Sequence, residues 1–217
     1  MSGARPPEGM SQRAMLERLL SDGCVRRSAQ LVAEGVQPQA ISDAVRAGVV
    51  TKAAPGAYYL TLSVAPPERL AIAVACVRAP RGTVCLLTAA WLCGLADAPS
   101  PITWLALPVG AHIPRPGNGQ EQFIHWSYDG AFDVGVVSDE VCGVRLLRTD
   151  PSRTIVDLFR YSRYLGGDHG GMEAGIRFLR QGGDPSAVLD VAHRLAAPAT
   201  TMRRLEVAVN QWQGALV

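Results

Sequence analysis

Three short amphipathic segments, each cut off by a glycine, fill the first fifty residues of this chain and run straight into a pair of apolar stretches around a Pro-Gly turn. Nothing else in the sequence limits its fold as tightly. Residues 11–20 carry Met15, Leu16, Leu19 and Leu20 on one helical face and stop at Asp22-Gly23. Residues 28–34 turn Leu31 and Val32 inward and stop at Gly35. Residues 37–47 place Pro38 in the first turn, where a missing N–H costs little, turn Ile41, Ala44 and Val45 inward, and end at Gly48. Val49-Val50-Thr51 and Ala57-Tyr58-Tyr59-Leu60 then flank the turn Ala54-Pro55-Gly56-Ala57, and Pro followed by Gly suits type II geometry. Three helices and a hairpin in this order predict a winged helix-turn-helix over residues 11–62, after a flexible Pro- and Gly-rich tail at residues 1–10.

The third helix has an outward face suited to reading base edges: Gln37, Gln39, Ser42, Asp43 and Arg46. Gln pairs bidentately with adenine, Arg with guanine, and Ser with either, so the expected partner is double-stranded DNA. Asp43 either accepts from cytosine or pairs with Arg46. Arg26, Arg27 and Ser28 are expected to open the second helix, where side-chain charge and free N–H groups suit a phosphate. Lys52, the only lysine, is expected at the tip of the wing. Two plainer readings compete: an ordinary solvated helix face, and a winged fold turned to protein binding.

Charge decides how such a module could bind. The net charge is only +2, with seven basic and five acidic residues in 1–62, six and eight in 63–150, and eight and six in 151–217. Affinity for DNA must therefore come from the placement of charge and not from its total. Twenty of the 21 basic residues are Arg, which fits a high-GC coding bias as well as phosphate recognition. The five cysteines (24, 76, 85, 93 and 142) form no Cys-x-x-Cys, which points to buried reduced thiols in a cytoplasmic protein. The four histidines lack ligand spacing, so neither metal nor cofactor is expected. No apolar stretch reaches 18 uncharged residues, so no membrane partner is expected either.

Ala65-Pro66-Pro67 marks a break, and residues 66–217 read as a second, mixed α/β domain with a helical tail, giving an α+β chain overall. Helices are expected over 68–77, within 83–95 after a short strand, from Pro151 to 165 behind an Asp150 cap, and over 172–180, 185–195 and 202–212. Strands are expected over 102–107, 123–128, 134–137 and 141–148, with an exposed loop at 112–120 containing an Asn118-Gly119 turn. Ile155, Leu158, Phe159 and Ser162 share one helical face.

The winged segment joined to the later run Thr149-Asp150-Pro151-Ser152-Arg153-Thr154-Ile155-Val156-Asp157-Leu158 resembles the AbiEi family of abortive-infection antitoxins, over about residues 11–180. The resemblance implies the antitoxin half of a type IV toxin–antitoxin system. Such a protein represses its own promoter by binding repeats there through the winged domain. Its C-terminal domain counters a nucleotidyltransferase toxin, with or without stable contact between the two.

Arg153 and Asp157, spaced i,i+4 on one helix, are expected to pair for a few tenths of a kcal/mol. Alternatively Arg153, Arg160 and Arg163 line a basic face for nucleic acid or an acidic partner. No catalytic site is expected. The usual restriction-nuclease site needs a lysine, and Lys52 lies on the wing; Asp139-Glu140 are adjacent and would face opposite sides of a strand; no Gly-x-Ser-x-Gly is present. A stand-alone regulator with a ligand-sensing second domain remains open beside the antitoxin reading.

Overall fold

Ser11 starts the first helix by accepting the Ala14 N–H on its side-chain oxygen at 3.2 Å, and α1 (Gln12–Leu19) follows, burying Met15 and Leu16. The computed structural model describes residues 10–115 and 120–214, so residues 1–9 of the expected tail and the expected Asn118-Gly119 turn lie outside the described residues. The chain is mixed α+β and divides into two units. One is Met1–Pro80 with Glu140–Leu146, the other Arg81–Asp139 with Leu147–Val217.

In the first unit α1 is followed by β1 (Arg26–Arg27), α2 (Ser28–Ala33), α3 (Pro38–Arg46), β2 (Val50–Ala54), β3 (Ala57–Leu60) and α4 (Pro67–Arg78). The three strands form one antiparallel sheet in the order β1-β3-β2. α3 ends in a Schellman motif: Gly48 takes φ +72°, its N–H donates to Val45 O at 3.0 Å, and the Val49 N–H donates to Ala44 O at 3.0 Å. Leu16, Leu20, Leu31, Val36, Ile41 and Val50 pack together as the core of this unit. Each is worth about 1.5–3 kcal/mol of transfer free energy. Val32, expected to face inward, is 44% exposed, because the six-residue α2 presents only Leu31 to that core.

The second unit contains β4 (Thr83–Val84), α5 (Leu86–Leu92), β5 (Thr103–Pro108), β6 (Glu121–Trp126), α6 (Pro151–Arg160), a 3-10 turn (Ser162–Tyr164), α7 (His169–Arg180), α8 (Pro185–Arg194) and α9 (Ala199–Gly214). The remaining strands, β7 (Val136–Val141) and β8 (Val144–Thr149), are joined by Cys142-Gly143, both with positive φ, and their shared tip falls in the first unit. The larger sheet runs β6-β5-β4-β8-β7, with β4 antiparallel to β5 and parallel to β8, and β5 parallel to β6.

α6 is the centre of the second unit. Asp150 caps it by accepting the Arg153 N–H at 2.8 Å, and Pro151 takes the first helical position. Residues 153–159 are buried without a break, because α5, α7, α8 and α9 all pack on this helix. Around it, Phe159 meets Trp212 edge-on at 6.2 Å between centroids. Gly175 of α7 lets Trp212 approach; a Cβ there would lie 2.0 Å from the indole Cζ2.

Candidate nucleic-acid interface

α3 holds its polar face outward because Ile41 and Ala44 anchor the opposite face in the core. Gln37, Gln39, Ser42, Asp43 and Arg46 are all exposed. Asp43 organises that face. Its Oδ1 accepts from Gln39 Nε2 at 3.0 Å and from Arg46 Nη1 at 3.0 Å. Ser42 Oγ donates to Pro38 O at 3.2 Å, and the Gln37 backbone N–H donates to Gln12 Oε1 at 2.7 Å. Of the two roles open to Asp43, pairing with Arg46 is the one seen in the free protein, and two of the candidate base-readers, Gln39 and Arg46, are held by one carboxylate.

The helix start expected at Arg26-Arg27-Ser28 is corrected. Arg26 and Arg27 lie in β1, opposite Tyr58 and Ala57 of β3, and the helix begins only at Ser28. Two N–H groups at this point are already used: that of the N-cap residue Arg27 donates to Gln30 Oε1 at 2.7 Å and that of Ser28 to Gly56 O at 2.8 Å. Arg26 is half-buried and bound internally, through Nε to Leu19 O at 2.8 Å and through Nη2 to Asp22. It closes the C-terminus of α1. Arg27 is exposed and enters no ion pair among the described residues. Lys52 is exposed on β2 opposite Tyr58, one register pair back from the turn and not at its tip.

The basic face expected of Arg153, Arg160 and Arg163 does not form. Arg153 is fully buried. Its Nε donates to Asp157 Oδ2 at 2.9 Å, Nη1 to Val134 O at 2.6 Å and Nη2 to Tyr128 OH at 2.8 Å, and its guanidinium lies 4.3 Å from the Trp126 ring centroid. Arg160 lies over Tyr128 at 3.6 Å, with Nη1 buried and unpartnered. Only Arg163 is exposed, bonded to Tyr164 OH at 2.6 Å. Burial pushes the Asp157 carboxyl up to about 6, with Arg153 and then Arg160 acting in the opposite direction. Burial would lower Arg153, but Asp157 and Tyr128 hold it above its ordinary value. The segment carrying the family resemblance is therefore framework: an N-cap, a Thr149–Thr154 hydroxyl contact at 2.7 Å and a buried ion pair.

The thiols are not activated. Burial pushes Cys76 up to about 12 and raises Cys85 well above its ordinary value, and Cys93 is raised by burial although Arg148 Nη1 stands 3.1 Å from its sulfur. Among the described residues no three His, Cys, Asp or Glu side chains gather as metal ligands, and no helix is long and apolar enough to cross a membrane.

Sequence reading missed Arg145. It is exposed beside the β7–β8 turn and lines one pocket of about 370 Å³ with Arg26, Arg27, Gln30 and Glu140.

No family model matches the chain, and no curated protein matches it. Among solved structures, the crystal structure of the RV2827C protein from Mycobacterium tuberculosis is similar, with a TM-score of 0.63 over 93% of this chain and 77% of that one. The two sequences are 12% identical, so the likeness is one of fold.

Proposed function

We propose that this chain is a DNA-binding repressor of the AbiEi antitoxin type. Its first unit acts as a winged helix-turn-helix, with α2 and α3 as the helix pair, α3 as the reader, and the β2–β3 hairpin as the wing. The observation that carries the reading is the face of α3: an apolar side anchored by Ile41 and Ala44, and opposite it Gln39, Ser42 and Arg46 in solvent. Asp43 acts as an internal stand-in for the nucleic acid. In the free protein it satisfies Gln39 and Arg46, and on DNA those two groups exchange it for base edges.

An anisotropy titration of the gene's own upstream region against random duplex, at several salt concentrations, tests this. Saturable, selective, salt-dependent binding is expected. Arg46→Ala and Gln39→Ala should each weaken it by about 1–3 kcal/mol and relax base preference. Unchanged binding by both variants removes α3 as the reader. Countering of a nucleotidyltransferase toxin rests on the sequence resemblance, and co-expression tests it. Growth restored by this chain alongside such an enzyme encoded next to it supports the antitoxin reading; unrelieved toxicity ends it.

A further inference from the structure

We infer that the DNA-binding surface is discontinuous in sequence, and that the β7–β8 tip adds Arg145 to it as a contact to the phosphodiester backbone beside Arg27. This rests on the DNA-binding reading and extends it to residues far outside the first 62.

The tip is built into the first unit. Cys142 O accepts the N–H of the buried Val25 at 2.9 Å. Gly143, at φ +72°, comes so close that a Cβ would lie 3.1 Å from Cys24 Cβ and 3.2 Å from Val25 O. The residue after Val25 begins β1, so the tip is pinned directly beside Arg26–Arg27.

The small sheet joins the wing to this place. Lys52 shares the Tyr58 row with Arg26, on the face opposite Arg27. Gly56 O of the hairpin turn accepts the Ser28 N–H, and Arg27 pairs with Ala57. Arg27 and Arg145 then line the same pocket. Both are exposed and neither enters an ion pair among the described residues, whereas Arg26 is committed to Asp22 and Leu19 O. Gln30 spends its carbonyl oxygen on the Arg27 N–H, which leaves its amide N–H₂ as a neutral donor at the same pocket. Glu140 is the one carboxylate among the lining residues, set against three guanidinium groups. Two unpaired guanidinium forks and an amide donor suit phosphate oxygens, and carry no means of telling one base from another.

The test uses the full chain and fluorescent duplex DNA, cognate and random, from 50 to 300 mM salt. Arg145→Ala should make the log–log salt slope shallower by about 0.9 and weaken binding about eightfold at 0.1 M, equally on both duplexes. Arg145→Lys, which keeps the charge, should retain the wild-type slope. If Arg145→Ala matches wild type in slope and affinity while Arg46→Ala loses base preference, the tip does not touch the backbone, although the DNA-binding reading stands. A loss confined to the cognate duplex would also overturn a phosphate contact. If the wild-type chain binds no duplex, the DNA-binding reading falls and this inference with it.

Discussion

Arg153→Met would keep much of the side chain's length while removing the charge at the centre of the second unit. Three hydrogen bonds go with the guanidinium: to Asp157 Oδ2, Val134 O and Tyr128 OH. Asp157 is then left fully buried, with Oδ1 already unpartnered. Breaking a buried pair from one side costs about 3–5 kcal/mol, most of it the uncompensated charge. The carboxyl can escape part of that cost by taking up a proton, and this gives the loss a pH signature. In the wild type the Asp157 carboxyl stands at about 6, above its ordinary value of 3.8. The native state therefore binds the proton more readily than the unfolded chain, and stability falls as pH rises through that window. Arg153 is the largest influence opposing the rise, so removing it extends the falling window above 6, at up to about 1.4 kcal/mol per pH unit. The loss should be about 1–2 kcal/mol at pH 5, from the hydrogen bonds alone, and about 3–5 kcal/mol at pH 8. Urea denaturation followed by tryptophan fluorescence reads this directly, because all four tryptophans (91, 104, 126 and 212) lie in the second unit. Arg153→Met/Asp157→Leu should recover part of the loss at pH 8. Equal losses at the two pH values, or a double variant no better than the single at pH 8, would refute the reasoning.

Three further changes test the packing and the interface. Asp43→Asn frees Arg46 and removes a carboxylate from the α3 face, so random-duplex affinity at low salt should rise by about three- to tenfold; a titration showing no gain would mean that Asp43 does not restrain Arg46. Gly175→Ala should destabilise the second unit by about 2 kcal/mol, since the new Cβ would overlap the Trp212 indole by more than the helix-propensity gain of about 1 kcal/mol offsets. Gly170→Ala, on the same helix with its nearest neighbour at 3.5 Å, should cost nothing in the same urea melt.

Elements that announce themselves locally were legible. The Asp150-Pro151 start of α6, the Gly48 stop of α3 and the Pro55-Gly56 turn are written in caps and turn residues, and the structure places them within a residue or two of expectation. β1 gives no such signal: Arg26–Arg27 become a strand because β3 offers a free edge. The β7–β8 turn was hidden inside an expected strand over 141–148, since Cys142 at φ +45° occupies a position usually marked by Asn, Asp or Gly. Periodicity showed one buried face on α6, whereas the helix is enclosed on every side by partners from elsewhere in the chain. The Arg153–Asp157 pairing expected from the i,i+4 spacing is present, but its burial was not legible for the same reason. An i,i+4 spacing looks alike on a wet and a dry helix, and only tertiary packing makes it dry. Arg145 could not be found from sequence, because its pocket is assembled from segments far apart in the chain.

The chain passes between its two units three times, after Pro80, after Asp139 and after Leu146. During synthesis the first unit therefore cannot finish when its own eighty residues have emerged. The Val25 N–H waits for Cys142 O, some sixty residues later, which at ordinary elongation rates is a delay of about 3–13 s. Through that interval the start of β1 lacks its Cys142 contact, while the core beneath α3 draws only on residues up to Leu60. A fragment ending at Pro80 stays in that state for good, so loss of activity on truncation would not map a residue, and the unit is not a contiguous cassette that recombination could move in one piece.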